Sequence, residues 1–431
     1  MFSMNLKSRC ARKRLGRQAF ACAALSLMLG VSLSRAEAQP ITLSQLFEQA
    51  WTLQAEAAAA PARQQAVAAR RQQAQAWTAD APSVELAAKT DRFIGQAQGS
   101  REYELGMQIP LWLPGERGRS QALAEAQQGA LDSRLAAARW RLAAQVREAW
   151  WQWQLQQQDL ALATGRLQAA TQLNRDVARR VSAGELALAD QHQAESARLA
   201  AELDLQQARL GAQAAHQQLL ALGLQPGQSL AELAEPSEAS LEASTAPEPS
   251  EAVPPEHPAL AELRDKLGLS ERASALLKTQ DRANPALRLA TTRERGGFGE
   301  PFNQTLTLGL SIPLGSAPAQ RSRLANAQAE QLEARALLQQ QEMQLRAELA
   351  QARLGLQSAQ AQADLAARRA ALAQQTRGFF AKSFALGQSD LPMLLRVEQE
   401  AFEAQRQSQR AGLRLQQARS ALRQALGFLP S

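Results

Sequence analysis

Few side chains in this sequence are spaced to do chemistry. Its three histidines, His192, His216 and His257, share no helix face with one another or with a cysteine at ligand spacing. They read as surface or packing residues, not as a transition-metal site. The methionines form no ladder of soft thioether ligands, so neither a metal site nor a cofactor is expected. Gly115-Glu116-Arg117-Gly118-Arg119 has the glycines of a phosphate loop without its lysine and reads better as a strand-to-helix corner. No dinucleotide fingerprint or nucleophile elbow is present. The spacing of Trp140, Trp150, Trp151 and Trp153 suits packing between helices more than a ligand platform. An enzyme is therefore not expected. The acids Glu185, Asp190 and Asp390 stand just after Gly184 and Gly387, at positions where a helix dipole favours negative charge.

The N-terminus reads as a cleavable signal peptide over residues 1–38. A basic leader (Lys7 to Arg17) precedes an apolar run of about 15 residues, Ala19 to Leu33, which is short for a membrane span. Ala36-Glu37-Ala38 supplies the small-x-small cleavage pattern. The leader holds seven Lys/Arg and one acid, so it carries +6 of the formal net charge of +7. The mature chain is nearly neutral, and its charge gives no ground for a nucleic-acid partner. Both cysteines, Cys10 and Cys22, fall in the leader. The mature chain thus has no disulfide, and Ala19-Phe20-Ala21 is a poor context for lipidating Cys22. No second apolar run of spanning length follows. Richness in Ala, Gln, Leu and Arg with few aromatics predicts long helices.

An internal repeat organises the rest. Pro82 and Pro285, Pro110 and Pro313, Gly184 and Gly387, and Glu195 and Glu398 are each 203 residues apart. Ala221-Leu222-Gly223 and Ala425-Leu426-Gly427 are 204 apart. Ordered landmarks at a constant offset imply duplication: a first unit over 39–224, a Pro/Glu/Ser-rich linker over 225–257, and a second unit over 258–431. Pro247, Pro249, Pro254 and Pro255 exclude a continuous helix through the linker.

Each unit reads as helix, two strands, very long helix, turn and shorter helix. The strand hairpins fall at 82–113 and 285–314, with turns at Gly95–Ser100 and Arg293–Pro301. Period-two alternation places Val84, Leu86 and Ala88 on one face, then Tyr103, Leu105, Met107, Ile109 and Leu111. In the second unit Leu306, Leu308, Leu310, Ile312 and Leu314 repeat the pattern. Segments of this length, apolar on one side only, fit tilted transmembrane strands with those side chains facing lipid; they also fit a soluble hairpin packed on helices. Trp112 and Tyr103 suit the aromatic belt of a bilayer interface. Four strands cannot close a barrel, and lipid tolerates no open edge. Two chains would supply eight strands and three would supply twelve; strand physics does not choose.

The long helices are expected over about Glu116–Val181 and Ala319–Ser383, rods of roughly 100 Å each. Leu186–Leu222 and Pro258–Arg282 together match one rod, and Ile41–Ala79 can continue Leu391–Leu426 in the same way. Alanine permits close approach, while Gln and Arg keep other faces wet. The fold class is thus mainly α with a small β part, built as a coiled-coil-like cylinder.

The segment Tyr103-Glu-Leu-Gly-Met-Gln-Ile-Pro110, the corner Gly115-Glu-Arg-Gly-Arg, and the second-unit segments Leu308-Gly-Leu-Ser-Ile-Pro313 and Gln320-Arg-Ser-Arg-Leu-Ala-Asn-Ala resemble the TolC-like outer-membrane factors. The corner most resembles the CzcC-type heavy-metal efflux branch. The resemblance implies a homotrimer with a shared twelve-stranded barrel in the outer membrane and a helical barrel reaching into the periplasm. It implies a periplasmic adaptor and an inner-membrane pump of the resistance-nodulation-division (RND) type as partners. The role implied is a passive exit duct for heavy-metal cations, with drugs or organic solutes as the alternative; from the residues alone, a soluble periplasmic scaffold or adaptor is the competing reading. The family closes its periplasmic mouth at the helix-helix turns, which fall here on Ser182–Asp190 and Phe384–Pro392. Asp190 matches a position that helps hold the turns closed. Its basic partner falls on Ser389, and the family's acidic pair falls on Met393 and Arg396, so the acids of a charged ring would instead come from Glu185, Asp190 and Asp390.

Overall fold

The computed structural model describes residues 41–93, 95, 98–228, 230, 253–314 and 317–430. The expected signal peptide and most of the linker lie outside the described residues.

Helix α1 (Leu43–Thr52) opens with a capping box. The Thr42 side chain accepts from the Gln45 N–H, and Gln45 Oε1 accepts from the Thr42 N–H. Its Leu43, Leu46, Phe47 and Ala50 are buried, the spacing of one helical face. The single helix expected over 41–79 does not form. Gln54 takes an extended conformation, and α2 (Ala55–Gln75) starts anew. The break lies where Gly223 packs so closely that an added Cβ would meet Leu53 Cδ1 at 2.8 Å.

Strands β1 (Ser83–Thr90), β2 (Arg101–Pro110), β3 (Ala286–Arg295) and β4 (Asn303–Ser311) form one antiparallel sheet in chain order. The two hairpins join through β2 and β3, with Tyr103 opposite Arg293 and Ile109 opposite Leu287. The second turn begins later than expected: Arg293 to Arg295 continue β3, paired with Tyr103 to Arg101, and the chain reverses from Gly296. Ile312 falls one residue past β4, before Pro313, whose ring removes a ladder donor.

Helices α3 (Glu116–Ser182, 67 residues) and α6 (Ala317–Ala385, 69 residues) are the expected long rods. The shorter ones are α4 (Leu188–Ala221), α5 (Pro258–Thr279) and α7 (Leu391–Ala425). Among the described residues the helices make an open layer: α2 and α4 lie along one side of α3, α5 and α7 along the other, and α6 beyond those. The end-to-end stacking differs from the expectation. Gly223, after α4, abuts Ala50 and Leu53 at the end of α1, and Gly427, after α7, abuts His257 and Pro258 at the start of α5. Length arithmetic permits either pairing; the contacts set the end of α4 against the break between α1 and α2, and the end of α7 against the start of α5.

The main core lies at these junctions. Trp150, Leu46, Phe47, Val146 and Leu219 are essentially inaccessible, with Trp151 and Trp153 beside them. The tryptophan spacing thus serves packing. Trp140 Nε1–H donates to the Gln424 carbonyl at 2.9 Å, and its ring meets His257 edge-on. No helix among the described residues is long and apolar enough to cross a membrane.

Candidate functional site

The sheet segregates its side chains along most of its length. Direct partners in an antiparallel sheet point to the same side. One face therefore carries Val84, Leu86, Tyr103, Leu105, Met107, Ile109, Leu287, Leu289, Leu306, Leu308 and Leu310. Most of these are exposed, Leu86 at 81% and Leu306 at 74%. The opposite face carries Glu85, Lys89, Glu102, Glu104, Arg288 and Glu294 with several threonines. There Arg288 donates to Glu104 at 2.6 Å, and Lys89 pairs with Glu102 at 3.3 Å. An apolar side that no other element covers, backed by a charged side, is inverted relative to a sheet packed on its own helices. The outer strands β1 and β4 each have one unpaired edge.

At the far end of the strands the two hairpin loops lock together. The Phe298 N–H donates to the Gln98 carbonyl at 2.9 Å. Asp91 Oδ2 accepts from the N–H groups of Gln98, Gly99 and Ser100, which holds its carboxyl below the usual carboxylate range.

At the near end the corner is built on Glu116. This carboxylate is buried, accepts from the Leu113 N–H at 2.9 Å, and receives Gln280 Nε2–H at 2.7 Å and Asn284 Nδ2–H at 2.6 Å. It thereby ties the start of α3 to the segment leading into β3. Gly115 precedes it at φ +80, so the motif is a structural corner as expected. Trp112, expected in an aromatic belt, is half-buried there and donates to the Ala76 carbonyl at 3.2 Å.

The helix-helix turns share one geometry. Gly184 (φ +81) and Gly387 (φ +74) end α3 and α6 in the left-handed region. The next N–H reaches back to the Arg180 carbonyl in the first turn (2.9 Å) and to the Ser383 carbonyl in the second (2.9 Å). Asp190 accepts from the Ala187 N–H at 3.1 Å, and Asp390 from the Met393 N–H at 3.3 Å. Both acids therefore cap helices. Glu185 is exposed and Met393 half-buried. Arg396 reaches outward to Glu400 at 3.4 Å. Ser389 is half-buried with its hydroxyl unpartnered, and no hydrogen bond joins it to Asp190 among the described residues. His192 is exposed near the first turn.

A contact that the sequence did not announce brings the two turns together. The Arg180 guanidinium lies 5.1 Å from the Phe384 ring centroid and donates to the Phe384 carbonyl at 3.1 Å. A cation at the last carbonyls of α6 also suits the helix dipole. Val177, Phe384, Leu391 and Leu394 form the buried core beneath. Above it, Asn174–Glu195 and Arg377–Glu398 bind each hairpin across equivalent sites. Arg198 and Asn174 hold the Glu195 carboxyl below its ordinary range. Only the register of both hairpins, set by the long helices, reveals the Arg180 contact; in sequence nothing distinguishes Arg180 from Arg179 in the same last turn of α3.

Solved structures share this arrangement. The outer membrane protein VceC from Vibrio cholerae superposes with a TM-score of 0.67 at 18% identity, over 90% of this chain and 97% of that one. The fold is that of an outer-membrane channel. CusC, whose structures describe transmembrane channel formation, gives a TM-score of 0.70 at 17% identity, over 89% and 92% of the two chains. The open state of the Neisseria gonorrhoeae MtrE channel gives 0.66 at 14%, over 89% and 88%. The family model described as "outer membrane efflux protein" matches residues 269–428. That match runs from within α5 to just past the end of α7. No curated protein matches the chain by sequence. The channel fold gives the exposed apolar face and the paired turns a common frame: one end of the layer bears the uncovered sheet, and the other ends in the turns.

Proposed function

We propose that this chain is one subunit of an outer-membrane exit duct, a homotrimer whose four strands per chain complete a twelve-stranded barrel. The observation that carries the proposal is the sheet: its apolar face is exposed, its polar face is charged, and both of its edges are unpaired. Unpaired backbone groups in lipid cost several kcal/mol each, so subunits must lend each other edges there. The helical layer is open in the same sense, with α2 and α4 at one margin and α6 at the other. Exposed Leu188, Leu199 and Leu210 line α4, and exposed Met343, Leu354 and Leu365 line α6, each set at eleven-residue spacing. Equal spacing on opposite margins supports head-to-tail closure into a ring.

In this reading residues 1–38 direct export, and 39–224 and 258–431 are duplicated units. The turn residues Gly184, Glu185, Asp190, Gly387, Ser389, Asp390, Met393 and Arg396 line the periplasmic aperture, where an adaptor engages. An inner-membrane RND-type pump supplies the energy, and the duct itself catalyses nothing. The Gly115–Arg119 corner's resemblance to the heavy-metal branch favours metal cations as cargo. The test has two parts. Outer-membrane fractions should yield a trimer band that resists detergent until heated; a monomer released by mild osmotic shock would refute the duct. A deletion strain should lose tolerance to at least one of zinc, cobalt, cadmium, copper or silver; unchanged tolerance to all of them refutes the metal cargo alone.

A further inference from the structure

The outward face of the sheet is apolar along most of its length but ends in arginines. In register, Tyr103 lies opposite Arg293, and one step further from the helices Arg101 lies opposite Arg295. The three arginines share the side that bears Leu105 and Leu306, because they keep the same parity along their strands. Phe302 sits among them, its ring centroid 4.9 Å from the Arg293 guanidinium, 5.1 Å from that of Arg295 and 6.3 Å from the Tyr103 ring.

The charge is not balanced on this side. Every acid of the four strands, Glu85, Glu102, Glu104 and Glu294, points to the other face. The acids of the adjoining loops are turned onto backbone: Asp91 accepts from three N–H groups, and Glu300 accepts from the Gly296 N–H. None of Arg101, Arg293 and Arg295 has a carboxylate partner among the described residues; Arg295 donates only to the Gly99 carbonyl. A cluster of forked cations with aromatic rings, at the end of a lipid-sized apolar band, has the chemistry of a phosphate clamp at a bilayer interface.

We propose that this end of the sheet binds the headgroup of an anionic, phosphate-bearing lipid, its acyl chains lying along Leu105 and Leu306. The proposal rests on the membrane placement of the sheet argued above. The aromatic rings hold the guanidiniums at headgroup depth, and the bidentate geometry selects phosphate over the carbonyl esters that every lipid carries.

The test uses the full trimer reconstituted in phosphatidylcholine vesicles containing spin-labelled phosphatidylglycerol or spin-labelled phosphatidylcholine. The wild type should favour the anionic label at its boundary by at least about fivefold, the factor expected from one guanidinium at an anionic surface. The preference should vanish in R101Q/R293Q/R295Q, weaken without vanishing in R101K/R293K/R295K, which keeps the charge but loses the fork, and persist in R288Q, whose arginine lies on the other face. It should weaken as salt is raised, a measurement on the wild type that holds even if the glutamine variant fails to assemble. Equal preference in the wild type and the glutamine variant, loss in R288Q, or absence of any salt dependence would overturn the proposal. Abolition by millimolar inorganic phosphate would overturn it too, since the site would then take a free ion. Insertion is scored separately by protection of the strands from protease. A wild type that does not insert defeats the channel reading together with this one, whereas insertion without preference defeats this one alone.

Discussion

Replacing Leu308 with arginine separates a lipid-facing sheet from a water-facing one. Leu308 pairs with Leu289, which lies opposite Met107, itself opposite Val84, so one apolar row crosses all four strands. The row is near mid-band: at about 3.4 Å per residue, Gln304 and Ile312 lie roughly 13 Å along the strand on either side. An arginine at that depth costs about 2–4 kcal/mol per subunit in lipid. Thr307 is one residue away and faces the charged side, so Thr307→Arg should cost no more than about 1 kcal/mol. If the sheet faced water, Leu308, already 71% exposed, would tolerate arginine within about 0.5 kcal/mol. The assay is urea unfolding from phospholipid vesicles, followed by tryptophan emission and heat-resistant trimer on gels. A Leu308→Arg stability within about 0.5 kcal/mol of Thr307→Arg would refute the orientation and the barrel with it.

Three further outcomes follow from other parts of the structure. Glu116→Ala should lose about 1–3 kcal/mol or more in chemical denaturation, because it strands the Leu113 N–H and the amides of Gln280 and Asn284 at a buried corner; Glu125→Ala, outside that network, should be near neutral. Gly387→Ala should cost about 1–2 kcal/mol, since only its positive φ opposes a side chain and nothing lies within 4 Å of the new methyl. Gly118→Ala, on α3 with equally open space, should instead stabilise by about 0.5–1 kcal/mol. His257 is buried and its Nδ1 accepts from the Ala259 N–H, and burial holds its pKa below the ordinary 6.5. The unfolded chain then binds the proton first, so stability should fall as pH drops below about 6.5 and level off once the folded pKa is passed. His257→Asn should flatten that slope in denaturation curves taken from about pH 7.5 down to about 5.

Features with a local physical cause could be read from the residues. The long helices were legible because no Pro or Gly turn interrupts 116–181 or 319–383, and their observed ends lie within two residues of those expected. The apolar strand face was legible because its period is two. The glycine turns were legible because left-handed helix ends need that residue. Features set by non-local packing were not. The break at Leu53-Gln54 has no Pro or Gly to mark it and follows from Gly223 arriving from a distant helix. Which short helices stack end to end depends on where two loops meet, and lengths alone fit either answer. At the turns, Asp190 and Asp390 were placed correctly at helix starts, but the inter-turn contact of Arg180 with Phe384 joins residues 204 apart and has no signature in composition or spacing.

The open margins have a genetic corollary. In a closed ring of three, each copy is sealed on both sides by its neighbours, so one copy faulty along a single margin opens a seam and breaks the ring. When equal amounts of sound and faulty chains mix at random, only about one ring in eight is wholly sound. An allele damaged along α6 should therefore be dominant over its normal counterpart, whereas an allele that produces no chain should be recessive.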